Sequence, residues 1–345
     1  MSLLTEEEIQ QLTINKMIFH VVGKGLTAPI TLKEITPLIY NEFFLARIKS
    51  SLKGNLFKFK ANSNVERILR IMSEINKHPK TNFTEESKQL AVDFHTKHKG
   101  NASKGAFFVF ELNSGVKRFY ALLKYENDEV VRYYLDANKK NYKPKLEFFT
   151  ESFTRKADSI QKVALVKLDP VQGGDITVLD RSNRAHISEY FEGFLEVKRS
   201  NSIVDLNVKL LDALKDVFKE NRSFLPEHVA TDGVKRIYKH LGTKEFSFDT
   251  VDPDTTLTAI FGPLDDIPKI KEAFNKKVKE SGFLGESFQV KPEYIEKPAT
   301  YKWVTKEGVT IIFDDNSKVQ RKPLPNGKYE IKIITTGLKQ DDFNS

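Results

Sequence analysis

Between Ile176 and Val197 the chain reads ITVLDRSNRAHISEYFEGFLEV, and its apolar period changes partway through. Ile176, Val178 and Leu179 open a short strand after the Gly173-Gly174 break. A polar turn with two arginines follows, Asp180-Arg181-Ser182-Asn183-Arg184. Beyond it Ile187, Tyr190, Phe191, Phe194 and Leu195 recur at offsets of three and four, which places them on one face of a helix. A strand that hands over to an aromatic-faced helix points to a mixed α/β chain. The pattern suits a backbone-binding element, an interdomain joint, or a plain connection whose rings are core.

The run from Arg184 to Leu195, with Ile187, Ser188, Tyr190, Phe191 and Phe194, resembles the central signature of the bacterial nucleoid-associated protein family, the NdpA/YejK-like group. Two other regions are similar to that family: the strand candidates between Ala106 and Leu135, and the closing pattern of Gly308, Val309 to Phe313, a basic strand and Ile331-Lys332-Ile333. Many members carry a Lys-Gly dipeptide before the signature, where this chain has Asp180-Arg181. The resemblance implies a cytoplasmic protein of the nucleoid that binds DNA, with a type II topoisomerase as a further partner. It implies no residue-level site.

Composition narrows the classes. The 345 residues include 26 Phe and are 39% hydrophobic, enough for real cores and for more than one compact domain. Absence of cysteine excludes disulfides, thiolate zinc sites and cysteine nucleophiles, and it fits a reducing cytoplasm. No apolar run approaches the ~18 residues of a membrane helix. Glu6, Glu7 and Glu8 are unlike the basic start of a signal peptide. Lys and Arg number 55 against 47 Asp and Glu, a formal +8 that favours polyanions only where cations gather. Two stretches hold cations without acids: Arg47 to Lys60, and Asn138 to Lys145.

The expected fold is α+β: an N-terminal mixed sheet with helices (1–170), the signature strand–helix and a helical module (171–248), and a small C-terminal α+β region (249–345). In the first part, Leu12 to Val22 reads as a strand, and Thr36 with Pro37 as the start of a helix burying Leu38, Ile39 and Phe43. Leu56 to Lys60 alternates, with Phe57 and Phe59 on one side and Lys58 and Lys60 on the other. Asn64 to Asn76 reads as a helix, and Thr84 as the cap of the next. In that helix His95 and His98 stand three apart, read as surface residues because no third ligand follows at metal spacing. Ala106 to Leu112, Arg118 to Tyr125 and Glu129 to Leu135 form a meander, and Val163 to Leu168 is a further strand.

After the signature, Asn201 to Glu220 and Glu227 to Leu241 are a helical pair that equally suits a homodimer surface. A subdomain boundary is expected in the turn-rich Asp249 to Pro263. Helix Ile267 to Glu280 then buries Ile270, Phe274 and Val278. Four strands end the chain, Tyr301 to Thr305, Val309 to Phe313, Lys318 to Arg321 and Lys328 to Thr335, with Trp303 read as core.

Charge placement singles out Lys139, Lys140 and Lys143, in a loop with the stackable Tyr142, and Arg181 and Arg184 in the signature turn, as DNA contacts. Lys58 and Lys60 are second choices. Against DNA binding stand two alternatives. One is an adaptor for a DNA-processing enzyme. The other, more remote, is a Mg-dependent nuclease built on Asp180 and Glu196-Val197-Lys198, whose triplet falls at a helix end rather than on a core strand. No catalytic residue, cofactor or metal is expected, and no dinucleotide, phosphate-loop, metalloprotease or triad motif appears.

Overall fold

The computed structural model describes residues 3–36, 38, 40–74, 82–98, 103–126, 128–135, 144–153, 159–263, 268–296, 298, 300–314 and 318–337. Two compact units divide the chain, Met1–Ile295 and Glu296–Ser345.

In the first unit, Thr5 caps α1 (Glu6–Gln10) through reciprocal bonds with Glu8, and β1 (Thr13–Val22) follows. Next come α2 (Asn41–Ser50), β2 (Asn55–Phe59), α3 (Asn64–Ser73) and α4 (Phe83–Lys97). Six strands succeed them: β3 (Gly105–Ser114), β4 (Lys117–Glu126), β5 (Asp128–Leu135), β6 (Pro144–Ser152), β7 (Ile160–Leu168) and β8 (Gly174–Asp180). The signature then supplies α5 (Glu189–Leu195) and β9 (Val197–Arg199).

Seven strands form one sheet in the order β1-β3-β4-β7-β8-β2-β9. The sheet expected as mixed is antiparallel at every pairing. Apolar layers cover both faces. Phe107, Val109, Leu122, Ala164 and Val178 pack with α3, α4 and α5 on one side. Phe108, Phe110, Ala121, Leu123 and Leu165 pack with Phe44 and Ile48 of α2 on the other. Burial on both faces is why β3 reads as a nearly unbroken apolar run instead of alternating. Phe191, Phe194 and Leu195 of α5 are all but inaccessible, and each ring buried this way contributes about 2 kcal/mol.

Several sequence expectations change. The first long helix starts at Asn41, because Tyr40 before it adopts a left-handed φ of 57° that breaks any continuation from Thr36; Pro37 and Ile39 lie outside the described residues. Asn82, not Thr84, caps α4 through its side chain. The meander stops at two strands: β4 is flanked by β7, while β5 pairs with β6 in a sheet of their own. His98 is 3% exposed, set between Phe94 and Tyr190, because the aromatic face of α5 covers the end of α4. The signature helix begins only at Glu189, so Ile187 enters the core from the turn before it.

The rest of the first unit comprises α6 (Ile203–Asn221), α7 (Glu227–Leu241), β10 (Phe246–Asp249), α8 (Asp254–Phe261), α9 (Pro268–Glu280) and β11 (Ser287–Val290). Ser202 and Asp205 form a capping box at the head of α6. One apolar core runs through these elements, from Leu206, Leu214 and Phe218 to Phe261, Phe274, Phe288 and Ile295. The turn-rich stretch after Asp249 therefore contains a helix, α8, whose Leu257, Ile260 and Phe261 are buried in that core.

The second unit holds two hairpins, β12 (Tyr301–Val304) with β13 (Thr310–Phe313), and β14 (Val319–Pro323) with β15 (Tyr329–Ile333). Val319 is the one buried apolar side chain among its described residues. Trp303, expected as core, is half-buried, its ring edge-on to Phe313 at 5.0 Å and covered by Arg321 at 5.6 Å. Hairpins this short leave a large ring partly wet.

Candidate nucleic-acid interface

The signature turn is held from below by a buried charge row. Lys124 on β4, Lys162 on β7 and Asp180 on β8 occupy consecutive register positions, so their side chains share one face of the sheet. Lys162 pairs with Asp180 where both side chains are nearly inaccessible. Asp180 also accepts the Ser182 hydroxyl at 2.6 Å, the Ser182 N–H at 3.0 Å and the Ser188 N–H at 2.8 Å. Burial works to raise the Asp180 carboxyl, but these bonds outweigh it and hold it below the usual carboxylate range. Removing one member of such a pair costs about 3–5 kcal/mol. Asp180 thus ties both ends of the turn.

Arg184, inside that turn, is fixed twice. Asn55 of β2 donates its amide to the Arg184 carbonyl at 2.7 Å, and Asp249 of β10 takes the guanidinium at 2.6 Å. Asn55 belongs to a latch between the sheet and β11. Its side-chain oxygen accepts Ser287 N–H at 2.7 Å and Arg199 at 2.9 Å. Arg199 in turn bridges to the wholly buried Glu286 at 2.7 Å. The other Glu286 oxygen receives Leu56 N–H at 3.0 Å.

Beside this latch opens a cleft of about 870 Å³, walled by Arg184, the last turn of α7, β10 and the first turns of α8. Arg236, Lys239 and Lys244 line it with Arg184, against the carboxylates of Asp249 and Asp252. Arg236 is engaged, donating to the Ile260 carbonyl at 2.6 Å. Lys239 and Lys244 make no ion pair among the described residues. Pro253 precedes α8 and gives it no side-chain cap, while Thr255 and Thr256 of its first turn line the cleft. An uncapped helix start presents free N–H groups and the positive end of the dipole, a setting that favours an anion. His240 borders the same space with its Nε2 buried and unbonded. Burial first, then the Lys244 charge, pushes its pKa down.

Of the residues expected to meet DNA, the structure places Arg184 in this cleft. Arg181 follows Asp180 in the same turn, its N–H on the Gln161 carbonyl, but does not line the cleft. Lys58 and Lys60 project from β2 away from Phe57 and Phe59, near Asp175 at 4.0 Å and Glu192 at 3.7 Å. Lys139, Lys140 and Lys143 lie outside the described residues. Lys239, Lys244 and Arg236 were missed. Arg236 and Lys239 sit on a helix read only for its bounds, Lys244 follows it, and the chain folds α8 beside them from a stretch that looks like turns.

The two carboxylates of the nuclease alternative are both committed elsewhere. Glu196 ends α5 in a left-handed conformation and accepts Asn64 N–H, closing the start of α3, while Val197 and Lys198 belong to the edge strand β9. Among the described residues no group of three or more His, Asp or Glu is placed to hold a metal, and no helix is long and apolar enough to cross a membrane.

A family model described as nucleoid-associated protein YejK matches residues 27–341. No curated protein matches the chain.

Proposed function

From its membership of the nucleoid-associated protein YejK family, to which this chain belongs, we propose that it binds duplex DNA through the phosphate backbone, without catalysis. The observation that carries this reading is the convergence of Arg184, Lys239 and Lys244 on the uncapped start of α8. Lysines supply charge without base preference, so contact there is largely independent of sequence. Lys139, Lys140, Lys143 and Arg181, with Lys58 and Lys60, extend the proposed footprint, although Lys58 and Lys60 share their charge with neighbouring acids and rank below the cleft.

A salt series on the full chain tests this. The logarithm of affinity should fall linearly with the logarithm of salt, and Lys239→Gln with Lys244→Gln should flatten the slope by about 2, roughly 0.9 for each lost phosphate contact. A flat response of the wild type would falsify the reading. The adaptor alternative predicts instead a protein partner, such as a topoisomerase, whose capture survives nuclease digestion.

A further inference from the structure

Beyond its buried base at Val319, the β14–β15 hairpin is largely exposed on both faces. Every described residue from Gln320 to Glu330 is open to solvent, and Tyr329, Ile333 and Ile334 are 60%, 55% and 59% exposed. Arg321 reaches Trp303 of the other hairpin at 5.6 Å, but a two-stranded ribbon with this little covered surface is marginal in water, so its sequence must answer to something that covers the rest.

Register divides its side chains sharply. Lys322 faces Glu330 and Gln320 faces Lys332 across the ribbon, and alternation puts Lys328 on that same side. Arg321, Pro323, Tyr329, Ile331 and Ile333 take the opposite side. Arg321 covers the Tyr329 ring at 5.2 Å. Lys322, Lys328 and Lys332 make no ion pair among the described residues, and the carboxylates near them are Glu330 and Glu307, the latter held below its usual pKa by its own backbone and Thr305 first and by Lys328 among smaller effects. At the tip, Leu324 N–H closes on the Lys328 carbonyl at 2.8 Å, so Leu324 and Pro325 stand at the turn between two lysines.

We propose that this ribbon is a DNA arm that enters the minor groove and wedges Leu324 against a base step. The inference rests on the DNA-binding reading above and adds a second contact surface with a distinct effect on the duplex. A ribbon of five residues a strand reaches ~16 Å, most of the way across a duplex. Its lysine side matches phosphates, and its apolar side matches the deoxyribose walls of the groove. The tip carries Leu and Pro, the side chains that unstack a base step, and few of the amides that read base edges in the major groove. A bent duplex is the signature of such a wedge.

The test uses the full chain and a duplex carrying a donor and an acceptor dye at its ends. Wild type should bend the duplex, shortening the end-to-end distance. Leu324→Ala should lose most of the bend while keeping its salt slope, and a triple change of Lys322, Lys328 and Lys332 to Gln should flatten the slope by about 2 to 3. Both variants alter exposed positions, and unchanged amide NMR shifts of the two strands serve as the folding control, because the melting transition belongs to the first unit. The cleft variant should flatten the slope yet leave the bend. If wild type binds with a steep slope but the triple variant matches it and no bend appears, the arm is refuted and DNA binding through the cleft stands. If wild type shows no salt-dependent binding, both ideas fall together. A dimer that Tyr329→Ser disperses, with DNA behaviour untouched, assigns the ribbon to a second copy of the chain and overturns the arm.

Discussion

His98 and His20 are imidazoles that the fold keeps neutral by different means. His20 is wholly buried on β1, where Nδ1 accepts Leu32 N–H at 3.1 Å and Nε2 meets the Ser87 hydroxyl at 2.9 Å. Ser87 donates its own O–H to the Thr84 carbonyl, so Nε2–H is the donor toward Ser87 and the ring has no room for a second proton. The His98 ring makes no hydrogen bond among the described residues, and both its nitrogens are buried beside aromatic rings. Burial lowers both pKa values to about 4; nearby lysine charge adds to it, from Lys88 at His20 and Lys124 at His98. The unfolded chain therefore binds more protons than the folded one between pH 6.5 and 4. Stability is full above that window and falls as acid enters it, by up to about 1.4 kcal/mol per pH unit for each ring. His98→Phe removes one titration while keeping the aromatic contact. Denaturant melts should place it near wild type at pH 7 and about 2 kcal/mol above it at pH 5. Equal losses in the two proteins between those pH values would show that His98 protonates freely in the folded state.

At the scale of elements, the contact between α6 and α7 depends on Gly233. A Cβ there would lie 2.1 Å from the ring of Phe218, which is itself only 5% exposed, so an alanine must drive the ring or the helix aside. Overpacking typically costs about 1–3 kcal/mol against a helix-propensity gain of about 1 kcal/mol, and Gly233→Ala should lower stability by up to about 2 kcal/mol in urea unfolding. A rise in the midpoint instead would mean that Phe218 swings out at no cost. Elements such as α6, α7 and α9 were legible because their apolar residues repeat at helical spacing over three or more turns. Those of α8, β10 and β11 were not. Each is short, and Asp252-Pro253-Asp254 and Gly262-Pro263 surround α8 with turn residues, so only the shared core with Phe248 and Phe288 makes them regular. The candidate site was half legible for the same reason. Arg184 announced itself by its place in a polar turn, whereas Lys239 and Lys244 gain their meaning from a helix start that no local pattern displays. His98 was misread because the residues that bury it, above all Tyr190, are distant in sequence.

At the scale of the whole molecule, the two units differ in what can hold them together. The three apolar cores are built from residues up to Ile295, each with many aromatic and aliphatic side chains at or near zero exposure. The second unit has 50 residues, two short hairpins and Val319 as its buried apolar side chain among those described. Chains that small lack the surface-to-volume ratio for an independent core. A protein ending at Ile295 should therefore melt in a cooperative transition within about 0.5 kcal/mol of the full chain, as expected for separable parts. A peptide of residues 296–345 should show no transition at all. DNA binding divides along the same line: the shortened protein keeps the cleft and the part of the salt slope that Lys239 and Lys244 supply, and it loses the bend together with the share owed to Lys322, Lys328 and Lys332. If the shortened chain aggregates or melts in separate steps, the hairpins are part of the fold's support, and their open apolar side has a use inside the protein before it has one on DNA.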